Sequence, residues 1–166
     1  MRIIGIDPGT AICGYGIIDV EGSRLKPVTY GAITTPKELT DSQRLEILFN
    51  DLSDLLEEYS PDKFGVEELF FNRNVTTAIK VGQARGVILL AAEQRRIPLY
   101  EYTPLQIKQA VTGYGKADKQ QMIYMTMNIL GIREKIKLDD TADALAVAIC
   151  TAHSSHRDRL MEKIRL

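Results

Sequence analysis

Cysteine and histidine are scarce in this chain, two of each among 166 residues. Cys13 and Cys150 lie far apart and outside any C-x-x-C context, so neither a zinc site nor dithiol chemistry is indicated. Cysteine used so sparingly suits a reduced, cytosolic setting. Also missing are a run of membrane-spanning length and an apolar N-terminal h-region, since an aspartate already stands at position 7. The chain is therefore expected to be neither exported nor anchored.

A strong charge of either sign is lacking too. The net charge of −1 does not advertise a nucleic-acid binder. Its distribution is more informative: residues 37–62 hold eight acids and two bases, whereas residues 71–120 hold eight bases and three acids. One face suited to a polyanion and one solvated face are compatible with that split. Hydrophobic content of 45% and charged content of 26% are ordinary for a globular protein. The length suits one domain over residues 1–166 with its own core, and the tail after about residue 154 carries no placeable motif.

What is present begins with Arg2-Ile3-Ile4-Gly5-Ile6-Asp7-Pro8-Gly9-Thr10. So apolar a run suits a central strand covered on both faces, ended by the turn chemistry of Pro8 and Gly9. Asp7 at its end either stabilises the turn or does chemistry. Cys13 to Val20 and Arg24 to about Thr34 continue as two antiparallel strands, with Glu21-Gly22-Ser23 as a hairpin turn. Thr40-Asp41-Ser42-Gln43 has the form of a capping box, and Leu45, Leu48, Leu52, Leu55, Leu56 and Tyr59 then recur at helical spacing. A fourth strand, Lys63 to Glu67, reached through that helix, is expected parallel to the first. Glu67 and Asp7 then arrive at one sheet edge.

Phe70-Phe71-Asn72-Arg73-Asn74 reads as an exposed loop, its two aromatics either core residues or stacking surfaces for bases. The helix from about Val75 to Arg96 has a middle, Val87 to Ala92, that is apolar on every side and must be buried in a core or against a partner. Gly82 and Gly86 within it either allow close helix approach or serve simple core packing. Leu99 to Tyr102 is a fifth strand, and Thr103-Pro104 opens a helix through Val111. A flexible basic loop, Gly113-Tyr114-Gly115-Lys116, precedes a helix capped at Asp118 and ending near Gly131. Asp139 to Asp143 then leads into a buried helix, Ala144 to Cys150. His153 and His156 are read as surface or capping residues.

Asp140 and Asp143, three apart at a helix start, share one face. Either would be favourable there merely by complementing the helix N-terminus, by about 0.3–1 kcal/mol. Their company argues for more: two acids end apolar strands, two open an apolar helix, and no histidine cluster competes. Grouped carboxylates cannot all stay ionised without cations, and hard oxygen ligands point to Mg²⁺ or Mn²⁺. Two such ions roughly 3.5–4 Å apart can clamp a phosphodiester, so metal-dependent hydrolysis is the inferred chemistry. Lys108, Lys116 and Lys119 fall where a polyanion would approach that edge, although each is equally explained as a solvated lysine.

Gly5-Ile6-Asp7-Pro8-Gly9-Thr10, Val66-Glu67-Glu68-Leu69-Phe70, Gly82-Gln83-Ala84-Arg85-Gly86, Lys108 to Lys119 and Asp140-Thr141-Ala142-Asp143-Ala144-Leu145 resemble the successive motifs of the RuvC family of Holliday-junction resolvases. Their order and spacing span nearly the whole chain. The resemblance implies an α/β, RNase H-like fold, a five-stranded mixed sheet of three antiparallel then two parallel strands with helices on both faces. It implies a homodimer that nicks two opposed strands of a four-way DNA junction in recombination and repair, leaving 5′-phosphate and 3′-hydroxyl ends. By position, Asp7, Glu67, Asp140 and Asp143 resemble the metal-binding acids, implying two Mg²⁺ per site with Mn²⁺ able to substitute. Lys108 and Lys119 resemble the essential basic residues and Phe70 the junction-contacting aromatic, a role that Phe71 and Arg73 share or replace. The branch-migration complex RuvAB is the partner the resemblance implies. An ATPase of the actin and sugar-kinase type shares a loop like Ile6 to Thr10 but needs a second domain, for which 166 residues leave no room. A DNA-binding module without catalysis would not need all four acids.

Overall fold

A computed structural model describes residues 1–68, 75–134 and 136–164, with backbone only for 75–77 and 155–164. Ten elements follow one another: β1 (Arg2–Asp7), β2 (Ile12–Glu21), β3 (Arg24–Thr34), α1 (Asp41–Tyr59), β4 (Lys63–Glu67), α2 (Val75–Gln94), β5 (Leu99–Tyr102), α3 (Pro104–Thr112), α4 (Lys119–Leu130) and α5 (Asp139–Ile164). They build the mixed sheet expected, in the order β3-β2-β1-β4-β5. β1 pairs antiparallel with β2 and parallel with β4, and β5 continues parallel to β4.

Alternation along β1 divides the core. Ile4 and Ile6 join Ile17, Phe64 and Val66 beneath Leu48, Leu52 and Leu56 of α1 and Ala84, Ile88, Ala91 and Ala92 of α2. Ile3 points the other way with Ile18, into the layer of α3, α4 and α5 that holds Ile107, Val111, Met122 and Leu145. Each fully buried isoleucine stabilises the fold by about 1.5–3 kcal/mol. Helices thus cover both faces, and β1 is held in the middle of the sheet.

Local signals set the boundaries. Thr40, Asp118 and Thr103 each close a capping box, the last with Pro104 in the first turn. Gly113 and Gly131 end α3 and α4 in the left-handed conformation. α5 does not stop at Cys150 but continues as helix to Ile164.

Of the two coverings expected for α2, a core or a partner, its own chain supplies only part: Ala84 and Ile88 are in the core, while Ile79 is 58% and Leu90 51% exposed. Core packing is likewise not what Gly82 and Gly86 provide, since a Cβ at either would meet nothing within 4 Å. The all-round apolarity therefore splits into a core face and an open face, a distinction that hydropathy alone cannot make. The loop 113–117 is also not free. The Thr112 hydroxyl lies 2.9 Å from the Tyr114 carbonyl, and the Tyr114 hydroxyl donates to Gln121 Oε1 at 2.7 Å.

Candidate active site

β1 and β4 end side by side, so Asp7 and Glu67 reach one edge of the sheet as expected. The parallel register Ile6↔Val66 makes them the next residues of adjacent strands, and Asp7 also pairs across β1–β2 with Gly14. Asp140 and Asp143 come from above, on the first turns of α5. What brings that helix down is a seat of glycine. A Cβ on Gly5 would stand 2.2 Å from the Ala144 carbonyl oxygen, and one on Gly14 2.0 Å from the Asp140 carbonyl oxygen. Helix backbone therefore rests directly on strand backbone, and Asp140 is fixed beside the strand pair that carries Asp7.

The turn after Asp7 is clamped from the other face. The Thr35 hydroxyl donates to the Thr10 carbonyl at 2.6 Å and accepts from Arg44 Nε at 2.8 Å, while the Thr10 hydroxyl donates to the Lys80 carbonyl at 3.0 Å. Thr35 is itself buried. Three elements thus hold the segment that follows the acid, which gives Asp7 the fixity a reactive centre needs.

The electrostatics identify these carboxylates as under-neutralised. Burial, then the negative charges of Asp143, Glu67 and Asp140, push the Asp7 carboxyl up to about 8, against a partial opposing pull from Lys119. Burial and Asp143 raise Glu67 to about 7, with Lys108 pulling the other way. Asp143 is raised by burial and held back by Lys119. Lys119 Nζ lies 3.1 Å from Asp139 Oδ2 and 3.6 Å from Asp143 Oδ2. Two lysines face more acid than they can neutralise.

Glu67, Asp143, Lys108 and Lys119 line one cleft of about 250 Å³ floored by Ile107, Met122 and Ala146. Asp7 and Asp140 are not among its walls; they join the group through the charge interactions above. Among the described residues no three acids, histidines or cysteines are already spaced around a single cation position. The donor set nevertheless fits a hard divalent cation: all-oxygen, half-buried, mutually repelling and short of positive charge. Lys116 is exposed on the loop between α3 and α4. Phe70, Phe71 and Arg73 lie outside the described residues. His153 is exposed, with Nδ1 3.1 Å from the Ala110 carbonyl oxygen, and the side chain of His156 lies outside the described residues.

Sequence reasoning missed two contributors. Asp139 makes the shorter contact to Lys119, a pairing across twenty residues that no local pattern signals. Gly5 and Gly14 are the helix seat, and the available signal was a glycine inside each apolar strand.

Comparison with known proteins gives the same assignment. The family model described as crossover junction endodeoxyribonuclease RuvC matches residues 3–151. Relatives of that name from Desulfitobacterium hafniense and Heliobacterium modesticaldum are 59% and 58% identical over 154 residues. Each match covers 93% of this chain, with 93% and 95% of the respective relative. Among solved structures, Thermus thermophilus RuvC is 34% identical with a TM-score of 0.88, over 95% of this chain and 97% of that one. The same enzyme in complex with Holliday junction substrate is 33% identical with a TM-score of 0.90, over 95% and 96%. With the four acids in order along the chain and gathered at one sheet edge, this chain belongs to the RuvC family of crossover junction endodeoxyribonucleases.

Proposed function

We propose that this protein is a structure-selective endonuclease of the cytoplasm that resolves four-way DNA junctions by Mg²⁺-dependent hydrolysis of phosphodiesters on opposed strands, leaving 5′-phosphate and 3′-hydroxyl ends. The observation that carries this reading is the convergence of four acids: burial and the charges of Asp143, Glu67 and Asp140 raise the Asp7 carboxyl, and Glu67 and Asp143 line a cleft with Lys108 and Lys119. Held by those four acids, two Mg²⁺ ions, or Mn²⁺ in their place, would supply Lewis-acid activation of water and charge stabilisation at the phosphate. The chain's own contribution is placement. β1 and β4 fix Asp7 and Glu67, the glycine seat fixes Asp140 and Asp143, and Lys119 keeps Asp143 oriented toward the cleft. Lys108 and Lys116 attract the DNA backbone, and Phe70, Phe71 and Arg73 contact the junction on the strength of the family resemblance. That resemblance also supports the partnership with the branch-migration complex RuvAB. Among the described residues no helix is long and apolar enough to cross a membrane.

A homodimer through α2 belongs to the same reading. Ile79 and Leu90 lie exposed on a helix whose Gly82 and Gly86 have open space above them, which suits close approach of a second helix. Two-fold symmetry presents two identical centres to a nearly two-fold junction. Leu90→Glu is expected to shift the protein to monomers in sedimentation velocity and to turn paired incisions into single nicks.

The raised carboxyls make stability depend on pH. Over the interval from their ordinary values, 3.8 and 4.5, up to about 8 and about 7, Asp7 and Glu67 hold protons in the fold that they lose in the unfolded chain. Native protein then binds more protons, so stability falls as pH rises. In chelator, Tm is expected to decline across that window, and added Mg²⁺ to restore it increasingly toward the alkaline end, because binding displaces the protons. A thermal-shift series with and without Mg²⁺ checks both slopes.

The function itself is tested with a synthetic four-way junction and its linear arms, each with Mg²⁺ and with chelator. Paired cuts in the junction alone, only with Mg²⁺, are expected. Equal cutting of the arms would leave a nuclease and remove the resolvase.

A further inference from the structure

We propose that Tyr114, on the loop joining the two helices that line the acid cleft, is a fixed aromatic platform on which a base of the bound DNA junction stacks. This rests on the junction-nuclease reading and adds a DNA-contacting residue to it. The loop 113–117 joins α3, which carries Lys108, to α4, which begins at Lys119, and both lysines line the cleft. Tyr114 is 47% exposed, a large ring left in water on the same short loop as the exposed Lys116. Leu105, 54% exposed, packs so closely under Gly115 that a Cβ there would stand 2.2 Å from Leu105 Cδ1. Two exposed apolar side chains thus lie at the turn that connects the two lysine-bearing helices.

The ring is held rather than loose. Its hydroxyl donates to Gln121 Oε1 at 2.7 Å, and that oxygen also accepts from the Asp118 backbone N–H at 3.0 Å within the α4 capping box. At the other end, the Thr112 hydroxyl spans the Lys108 and Tyr114 carbonyls at 2.8 and 2.9 Å, and Gly113 closes α3 with φ 81°. Bonds at both ends of the residue fix the loop and leave the ring exposed. Little entropy then remains to be lost on binding. An aromatic face between positive charges is the surface that unpaired nucleic acid uses, phosphates meeting the lysines and bases the ring. A branch point interrupts continuous stacking, so its bases are the least costly to engage.

The test uses protein carrying Asp7→Asn, expected to bind without cutting, and a junction with 2-aminopurine next to the crossover. Tyr114→Ala is expected to weaken junction binding by on the order of tenfold or more, the strength of a base–aromatic stack, and to change the 2-aminopurine emission of the complex. Tyr114→Phe, which keeps the ring but not its bond to Gln121, is expected to lose far less affinity than Ala and to keep the emission of the complex. Wild-type-like affinity of Tyr114→Ala would overturn the platform. So would a Phe variant as defective as Ala, which would place the effect in the hydroxyl bond to Gln121. If the Asp7→Asn parent fails to bind the junction at all, the junction-nuclease reading falls and the platform with it.

Discussion

Asp7→Asn is expected to leave a folded protein that still binds four-way DNA but cuts it more than about 100-fold more slowly, exceeding the 10–100-fold loss typical of partners that only orient metal ligands. The reason lies in the carboxyl's position. With its pKa pushed up to about 8, Asp7 at neutral pH without cations is mostly protonated, so asparagine is close to its resting form in both shape and charge. Folding loses nothing by the exchange. Above neutral pH in chelator the variant should even melt higher than wild type, because it avoids ionising a buried acid among three others. What it loses is the negative charge that a divalent cation would draw out. A stabilised, binding-competent, inactive protein is a combination that a merely structural aspartate would not give. Junction cleavage rates and melting curves in chelator, recorded side by side, check it.

Gly14→Ala is expected to cost both stability and rate, and its effect on rate is the more informative. Its methyl would meet the Asp140 carbonyl oxygen at 2.0 Å and the Asp140 carbonyl carbon at 2.5 Å, which are backbone atoms and cannot swing aside. Restoring a normal contact of about 3.5 Å requires α5 to move by about 1 Å or more. Overpacking of this kind destabilises by about 1–3 kcal/mol, a loss of several degrees in Tm for a chain of this size. The same shift carries Asp140 and Asp143 away from Asp7, and a misplacement of about 1 Å can slow catalysis on the order of 100-fold. Gly22→Ala supplies the control. Gly22 sits in the hairpin turn with φ 61° and nothing within 4 Å, so alanine there strains the backbone without touching the centre. It should lower Tm and leave the cleavage rate unchanged. If Gly14→Ala behaved in the same way, the glycine seat would have no part in catalysis.

These two sites also mark how far the sequence could be read. Asp7 was legible because three isoleucines and a Pro-Gly turn form a local pattern, and local patterns determine a buried strand and its end. The helix start at Asp140, the capping boxes at Thr40 and Asp118, and the parallel return of Glu67 were legible for the same reason. Gly14 was not, because its role depends on α5, some 125 residues later in the chain, and no periodicity reports which backbone comes to rest on which. α2 shows the same limit: an apolar middle says that a surface must be covered, whereas only the packed chain shows that Ile88 is covered and Leu90 is not. The glycines around Tyr114 suggest a flexible loop. Side-chain hydrogen bonds from Thr112 and to Gln121 override that reading.

The most direct measurement of the central claim, that the four acids form one cation-binding centre, is calorimetric titration of Mg²⁺ into the protein near neutral pH in two buffers of different ionisation enthalpy. Asp7 at about 8 and Glu67 at about 7 hold protons there that an incoming cation must displace. The predicted result is saturable binding with proton release of about one per site or more, greatly weakened by Asp7→Asn and by Glu67→Gln. Binding that releases no protons and is indifferent to both substitutions would contradict it.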